Sequence, residues 1–104
     1  MAWQNLQIDA FMKTLRKSTD AVLIDVRTAE ECAHGFIENS LHLDIRREDI
    51  LEQLAKISID KSVFVYCEHG IRSSQVCRYL HSKAYPKLYN LIGGYDAFRK
   101  SEIK

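Results

Sequence analysis

The sequence predicts an α/β fold in which helices cover both faces of an open parallel sheet. Segments with strand character alternate with segments of helical periodicity about five times along the chain. Residues 21–26, "AVLIDV", and residues 62–66, "SVFVY", are apolar on both alternating faces, which is typical of strands buried between two layers of helices. With 104 residues, the chain is long enough for one domain with its own core and too short for two, so we expect a single domain over residues 1–104.

The first third of the chain contains a helix between two predicted strands. The short segment "WQNL", residues 3–6, predicts an edge strand, and residues 21–26 predict a buried one. Between them, four apolar residues recur at i, i+3, i+4 and i+7: Ile8, Phe11, Met12 and Leu15. This stripe predicts a helix over residues 8–17 that lies on the core.

The middle of the chain contains two further helices and a strand. Thr28 and Glu31 form a T-x-x-E capping box, which starts a short helix that Gly35 ends. Residues 40–45, "SLHLDI", alternate like a strand. From Arg47 onwards the apolar residues recur at helical spacing: Ile50, Leu51, Leu54 and Ile57.

The last third continues the alternation after the strand at residues 62–66. Val76, Leu80 and Ala84 lie four residues apart and predict a helix, which Pro86 prevents from continuing past Ala84. Residues 87–92, "KLYNLI", predict the final strand. Gly93 and Gly94 then predict a turn, and residues 95–104 a closing helix.

Composition restricts the classes of function. The formal net charge of +1 does not indicate a nucleic-acid or membrane surface, and no stretch approaches the ~20 apolar residues of a membrane span. The N-terminus has no long apolar run after a positive region, so we expect a cytoplasmic protein. The three cysteines, Cys32, Cys67 and Cys77, are odd in number and are expected to be free thiols.

The segment "CEHGIRS", Cys67 to Ser73, carries the strongest chemical signal. It connects a buried strand to a helix, at the edge of the sheet where parallel α/β folds bind ligands, and Asp25 ends the other buried strand at the same edge. A thiolate is the nucleophilic form of cysteine, and N–H groups at the start of a helix stabilise it. Gly70 permits a tight turn. Arg72 is able either to bind an oxyanion or to pair with a carboxylate such as Asp25 or Glu31.

Three segments together resemble the single-domain rhodaneses, which are thiosulfate or persulfide sulfurtransferases. They are "VLIDVRTAEECAHGFIENSLHLDI", "VFVYCEHGIRSSQVCRYL" and "LYNLIGGYDAFRK", and they cover nearly the whole chain. The resemblance implies a five-stranded parallel sheet and a persulfide on Cys67, held within a loop of Glu68, His69, Gly70, Ile71, Arg72 and Ser73. It also implies that Asp25 and Arg27, at the D-V-R strand end, support this loop. No cofactor is implied.

The resemblance leaves the sulfur donor and acceptor open. The donor is thiosulfate or a persulfide, and the acceptor is cyanide, a thiol or a sulfur-relay protein. Glu68 places a negative charge beside a site that would receive an anion, and this weakens the case for thiosulfate.

Alternative functions must also be considered. A cysteine phosphatase or arsenate reductase uses a similar loop, but with the pattern C-x5-R, whereas Cys67 and Arg72 form C-x4-R, a tighter ring that suits sulfur better. A non-catalytic binding module of the same fold is recognised by loss of the cysteine, which this chain retains. His69 is more typical of a solvated loop residue than of a catalytic one. The pairs Cys32-x-His34 and Cys67-x-His69 match no strong zinc spacing, so we predict no metal.

Overall fold

The structure, a computed structural model, describes residues 3–102. It contains five strands: β1 (Gln4–Leu6), β2 (Ala21–Asp25), β3 (Leu41–His42), β4 (Ser62–Tyr66) and β5 (Leu88–Leu91). The helices are α1 (Ile8–Lys17), α2 (Ala29–Ala33), α3 (Ile50–Ala55), α4 (Ile71–Ser82) and α5 (Gly94–Glu102). All strand pairs are parallel, and the strand order is β1-β5-β4-β2-β3. The predicted five-stranded parallel sheet is therefore confirmed.

Alternation along the two central strands produces a core on each face of the sheet. In β4, Val63 and Val65 pack on one face with Leu54 of α3 and Leu80 of α4. Phe64 and Tyr66 point to the other face, where residues of α1 and α5 pack, including Phe11, Met12 and Phe98. All five residues of β4 are buried, as the continuous apolar run predicted.

The elements differ from the predicted bounds mainly at their ends. The strand predicted over residues 40–45 is reduced to Leu41–His42, because it lies at the sheet edge and pairs only with the end of β2. Helix α3 begins at Ile50 instead of Arg47, and α4 ends at Ser82, two residues before Ala84, which has a left-handed φ of 69°. The predicted end of the last helix, residues 103–104, lies outside the described residues. Among residues 3–102, no helix has the length and apolar composition needed to cross a membrane.

Candidate active site

Cys67 lies at the carboxyl end of the central strand β4, where a short loop turns into α4. In the sheet, β4 lies between β2 and β5. The residue is 1% exposed, so its sulfur is surrounded by the loop and the first turn of α4. Asp25 ends the adjacent strand at the same edge and pairs with Tyr66, the residue before Cys67. The predicted placement of these residues at one edge of the sheet is thus observed.

Two backbone N–H groups, one from the loop and one from α4, point at the Cys67 sulfur. The backbone N–H of Gly70 donates to Sγ at 3.0 Å, and that of Ser73 donates at 3.4 Å. The Ser73 hydroxyl oxygen lies 3.3 Å from the same sulfur. Gly70 adopts a φ of +100°, a left-handed conformation that favours glycine, and α4 begins at the next residue. Such converging N–H groups favour an anionic sulfur.

Helix α5 supports the loop from the opposite side. The N–H of Tyr95 donates to the Cys67 carbonyl at 2.8 Å, and that of Asp96 donates to the Glu68 carbonyl at 3.1 Å. These donors come from the first turn of the helix, where N–H groups have no partner within the helix. A Cβ at Gly94, whose φ is +61°, would collide with the Cys67 carbonyl oxygen. The close approach of α5 to the loop therefore requires glycine at this position.

Arg27 is a buried cation that links β2 to the loop. Its guanidinium donates to both carboxylate oxygens of Asp25, with Nη2–Oδ2 at 2.8 Å, and to Oε1 of Glu68 at 3.1 Å. It also lies 4.2 Å from the ring centre of Tyr95 and 5.6 Å from that of Tyr66. Burial is the largest single effect and raises the pKa of Asp25, but the hydrogen bonds, chiefly from Arg27, and the Arg27 charge together outweigh it, so the pKa is lowered. Asp25 is therefore an ionised partner of Arg27.

Arg72 pairs with Glu31, one of the two carboxylates that the sequence left open. Two hydrogen bonds of 2.8 Å join the guanidinium to the two carboxylate oxygens. Glu31 also completes the predicted capping box with Thr28 at the start of α2. The hydrogen bonds from Arg72 lower the pKa of Glu31 to about 2, against a smaller opposing effect of burial. The first turn of α4 is thus tied to α2 by an ion pair.

The remaining loop residues point away from the sulfur. His69 and Ile71 are exposed, with Ile71 at 71%. Among residues 3–102, Glu68, His69 and Asp96 are the only group placed closely enough to hold a metal ion, with ligand atoms within 4.8 Å of one another. Both carboxylates already form ion pairs: Glu68 pairs with Arg27, and Asp96 pairs with Arg99 and Lys100. We assign no metal to this group.

The other two cysteines have different surroundings from Cys67. Cys77, on α4, is fully buried in the core, and burial raises its pKa to about 12. Cys32 is half-buried on α2, and its thiol donates to Oδ2 of Asp25 at 3.4 Å. Burial, with a further contribution from Asp25, raises the pKa of Cys32 to about 11. Both thiols are therefore weak nucleophiles near neutral pH.

Sequence reasoning missed Asn90, a residue of β5. It is 4% exposed, and its side chain contacts both Ser73 and the Gly70 carbonyl. The available signal was an asparagine inside a run of apolar strand residues, since a buried polar side chain requires hydrogen-bond partners. Its partners, however, come from other elements and are not apparent from the sequence.

Comparison with known proteins agrees with this architecture of a cysteine loop at the carboxyl edge of a parallel α/β sheet. The rhodanese-like domain family matches residues 9–101. The chain therefore belongs to the rhodanese-like family. A sulfurtransferase of Allochromatium vinosum is 34% identical over 92 residues, covering 88% of this chain and 84% of the relative. The thiosulfate sulfurtransferase GlpE of Coxiella burnetii is 35% identical over 85 residues, covering 82% and 78%.

Solved structures include the same fold. The crystal structure of a rhodanese-like domain protein from Staphylococcus aureus has a TM-score of 0.77 and is 28% identical. The match covers 90% of this chain and 89% of that one. This structure supports the fold, and the named relatives support a sulfurtransferase function in general.

Proposed function

We propose that the protein is a sulfurtransferase that carries a sulfane sulfur as a persulfide on Cys67. The observation that carries the proposal is the set of N–H groups, from Gly70 and Ser73, that point at the Cys67 sulfur. Two relatives named as sulfurtransferases are identical to this chain at about a third of the aligned positions. Cys32 and Cys77 are weaker candidates, because the pKa of each thiol is raised.

The proposed reaction consists of two displacements at sulfur. The Cys67 thiolate attacks the outer sulfur of the donor and forms a new S–S bond, while the remainder of the donor leaves with the electron pair of the broken bond. That leaving group is a thiolate from a persulfide, or sulfite from thiosulfate. An acceptor thiolate or cyanide then attacks the outer sulfur of the Cys67 persulfide, and the Cys67 thiolate is released. No external oxidant or reductant is required.

A persulfide is proposed as the preferred donor. Both arginines beside the loop already pair with carboxylates: Arg72 with Glu31, and Arg27 with Asp25 and Glu68. Their charges are thus largely compensated, and a doubly charged donor such as thiosulfate gains little from them. Pairing with Arg27 also reduces the repulsion first expected from Glu68 alone. The compensated charges of Arg27 and Arg72 therefore favour a persulfide over thiosulfate as the donor.

The proposed acceptor is a thiol, either of a small molecule or of a sulfur-relay protein, with cyanide as its substitute in an assay. The free cysteines of the chain are the form that a reducing compartment maintains, and they support a cytoplasmic location. Phosphatase chemistry is less well supported, because Arg72 faces Glu31 and the loop is one residue shorter than the phosphatase pattern.

Intact-mass measurement tests the proposal. After incubation with a sulfane donor, the wild-type chain should gain one sulfur that cyanide removes. Cys32→Ser and Cys77→Ser should retain this uptake, and Cys67→Ser should lose it. A cyanide-labile sulfur on Cys67→Ser would show that the site is wrong. Turnover of an aryl phosphate with no sulfur transfer would favour the phosphatase alternative, and no reaction with any donor would favour a binding module.

A further inference from the structure

Asn90, on β5, contacts two residues of the candidate active site and joins them to β1. Its Oδ1 lies 2.5 Å from the Ser73 hydroxyl oxygen on α4. Its Nδ2 donates to Oδ1 of Asn5 on β1 at 3.0 Å and to the Gly70 carbonyl at 3.3 Å. Asn90 therefore contacts both residues whose N–H groups point at the Cys67 sulfur.

The hydrogen-bond partners determine how the Asn90 amide is oriented. The Gly70 carbonyl is able only to accept a hydrogen bond, so the amide NH2 group of Asn90 must face it. The carbonyl Oδ1 of Asn90 must then face Ser73. Because Oδ1 only accepts, the single hydroxyl proton of Ser73 is donated to Asn90.

This arrangement determines what the Ser73 hydroxyl offers to Cys67. With its proton bound to Asn90, the hydroxyl oxygen presents lone pairs to Sγ, 3.3 Å away. Lone pairs suit a protonated thiol, which donates to them, and repel an anionic sulfur. To stabilise the anion, the hydroxyl would have to rotate towards sulfur and leave Oδ1 of Asn90 buried without this donor.

We propose that Asn90 is a positioning residue that restrains the reactivity of the Cys67 sulfur by holding the Ser73 proton away from it. The role rests on the proposed function, in which Cys67 carries the transferred sulfur. Asn90 acts on the sulfur only through the Ser73 hydroxyl, which lies between them. Removing the Asn90 acceptor should therefore release the hydroxyl to donate to the thiolate.

The test is a comparison of thiolate formation in four chains: wild type, Asn90→Leu, Ser73→Ala and the double variant. Leucine is close to asparagine in size and accepts no hydrogen bond. The readout is the ultraviolet absorbance of the thiolate as a function of pH, with the matching Cys67→Ser chain subtracted. Titratable and charged groups on the surrounding elements are common to all four chains: Asp25, Arg27, Glu31, Glu68, His69, Arg72, Cys77 and Asp96.

With Ser73 present, Asn90→Leu should lower the midpoint pH of thiolate formation by about half a unit. At a pH below the midpoint, this shift gives ~3-fold more thiolate than in wild type. In the Ser73→Ala background the same substitution should have no effect. Asn5→Ala is the matched control, because it removes a partner of Nδ2 and leaves the Ser73 contact in place. Equal shifts in both backgrounds, no shift, or a shift to higher pH would overturn the proposal.

A second variant and a second measurement keep the result interpretable. Asn90→Ala also lacks the acceptor, and it replaces Asn90→Leu if circular dichroism shows that leucine disturbs the fold.

Sulfur uptake, measured by intact mass, distinguishes the role of Asn90 from the sulfurtransferase function. Normal uptake without the predicted pH shift contradicts only the role of Asn90. The predicted shift in a chain that takes up no sulfur contradicts only the sulfurtransferase function.

Discussion

Arg72 and Glu31 form a two-point ion pair, with both N–O distances at 2.8 Å, that joins the first turn of α4 to α2. The two residues are 41 positions apart in the chain. Because Arg72 belongs to the loop that surrounds the Cys67 sulfur and Glu31 does not, this pair restrains the loop from outside. Planar guanidinium and carboxylate groups match each other in geometry, which makes such pairs directional.

Arg72→Lys should reduce sulfur transfer about tenfold, equivalent to ~1.4 kcal/mol, while the fold survives. Lysine keeps the charge but is unable to form the fork with Glu31. If Arg72 acts by bracing the loop, Glu31→Gln should lower the rate to within about threefold of Arg72→Lys. Steady-state rates with one donor and circular dichroism measure both effects. A full rate in Glu31→Gln with a low rate in Arg72→Lys would instead assign Arg72 to donor binding.

Glu31 should make stability depend on pH in the acid range. Its pKa in the folded protein is about 2, below the usual 4.5, so the unfolded chain binds more protons between these values. The contribution of Glu31 is thus fully present above about pH 4.5 and is lost as the pH falls towards 2. Urea unfolding of Glu31→Gln should show a shallower pH dependence than wild type in this range. Glu52→Gln, exposed on α3, is the control, and a slope in Glu31→Gln equal to that of wild type would contradict the prediction.

Arg27 should be the most costly arginine to replace. Arg27→Met leaves the buried Asp25 carboxylate without its ion-pair partner, and we expect a loss of about 3–5 kcal/mol in the free energy of unfolding. Arg46→Met is the matched control: Arg46 also pairs with an aspartate two residues away but is 68% exposed, so ~0–1 kcal/mol is expected. Urea denaturation measures both. Similar losses in the two variants would show that burial of the Asp25–Arg27 pair has no special role.

Donor preference should respond to the charge at Glu68. Wild type is expected to react faster with glutathione persulfide than with thiosulfate at equal concentration. Glu68→Gln removes one negative charge and releases a donor group of Arg27, so the thiosulfate rate should rise about threefold with little change for the persulfide. Glu52→Gln controls for the loss of a distant carboxylate. A wild-type preference for thiosulfate would refute the donor assignment, whatever the effect of Glu68→Gln.

Local patterns in the sequence determined the architecture of this protein. The apolar runs before Asp25 and Cys67 predicted the two central strands, because a strand covered on both faces has no side that tolerates polar residues. The Thr28–Glu31 capping box involves neighbours in the chain and was predicted correctly. Element ends were less accurate: the edge strand β3 is shorter than its alternating pattern, since only the end of β2 is available to pair with it.

Tertiary structure alone decided how the residues around Cys67 are connected. The sequence left Arg72 with two possible carboxylate partners, and the positions of α2 and α4 at the sheet edge select Glu31. Likewise, Asn90 meets Ser73 only because β5 lies beside β4, which places the asparagine next to the first turn of α4. Hydrogen bonds between distant segments depend on strand order and register, to ångström precision, and a single sequence contains no local signal of either.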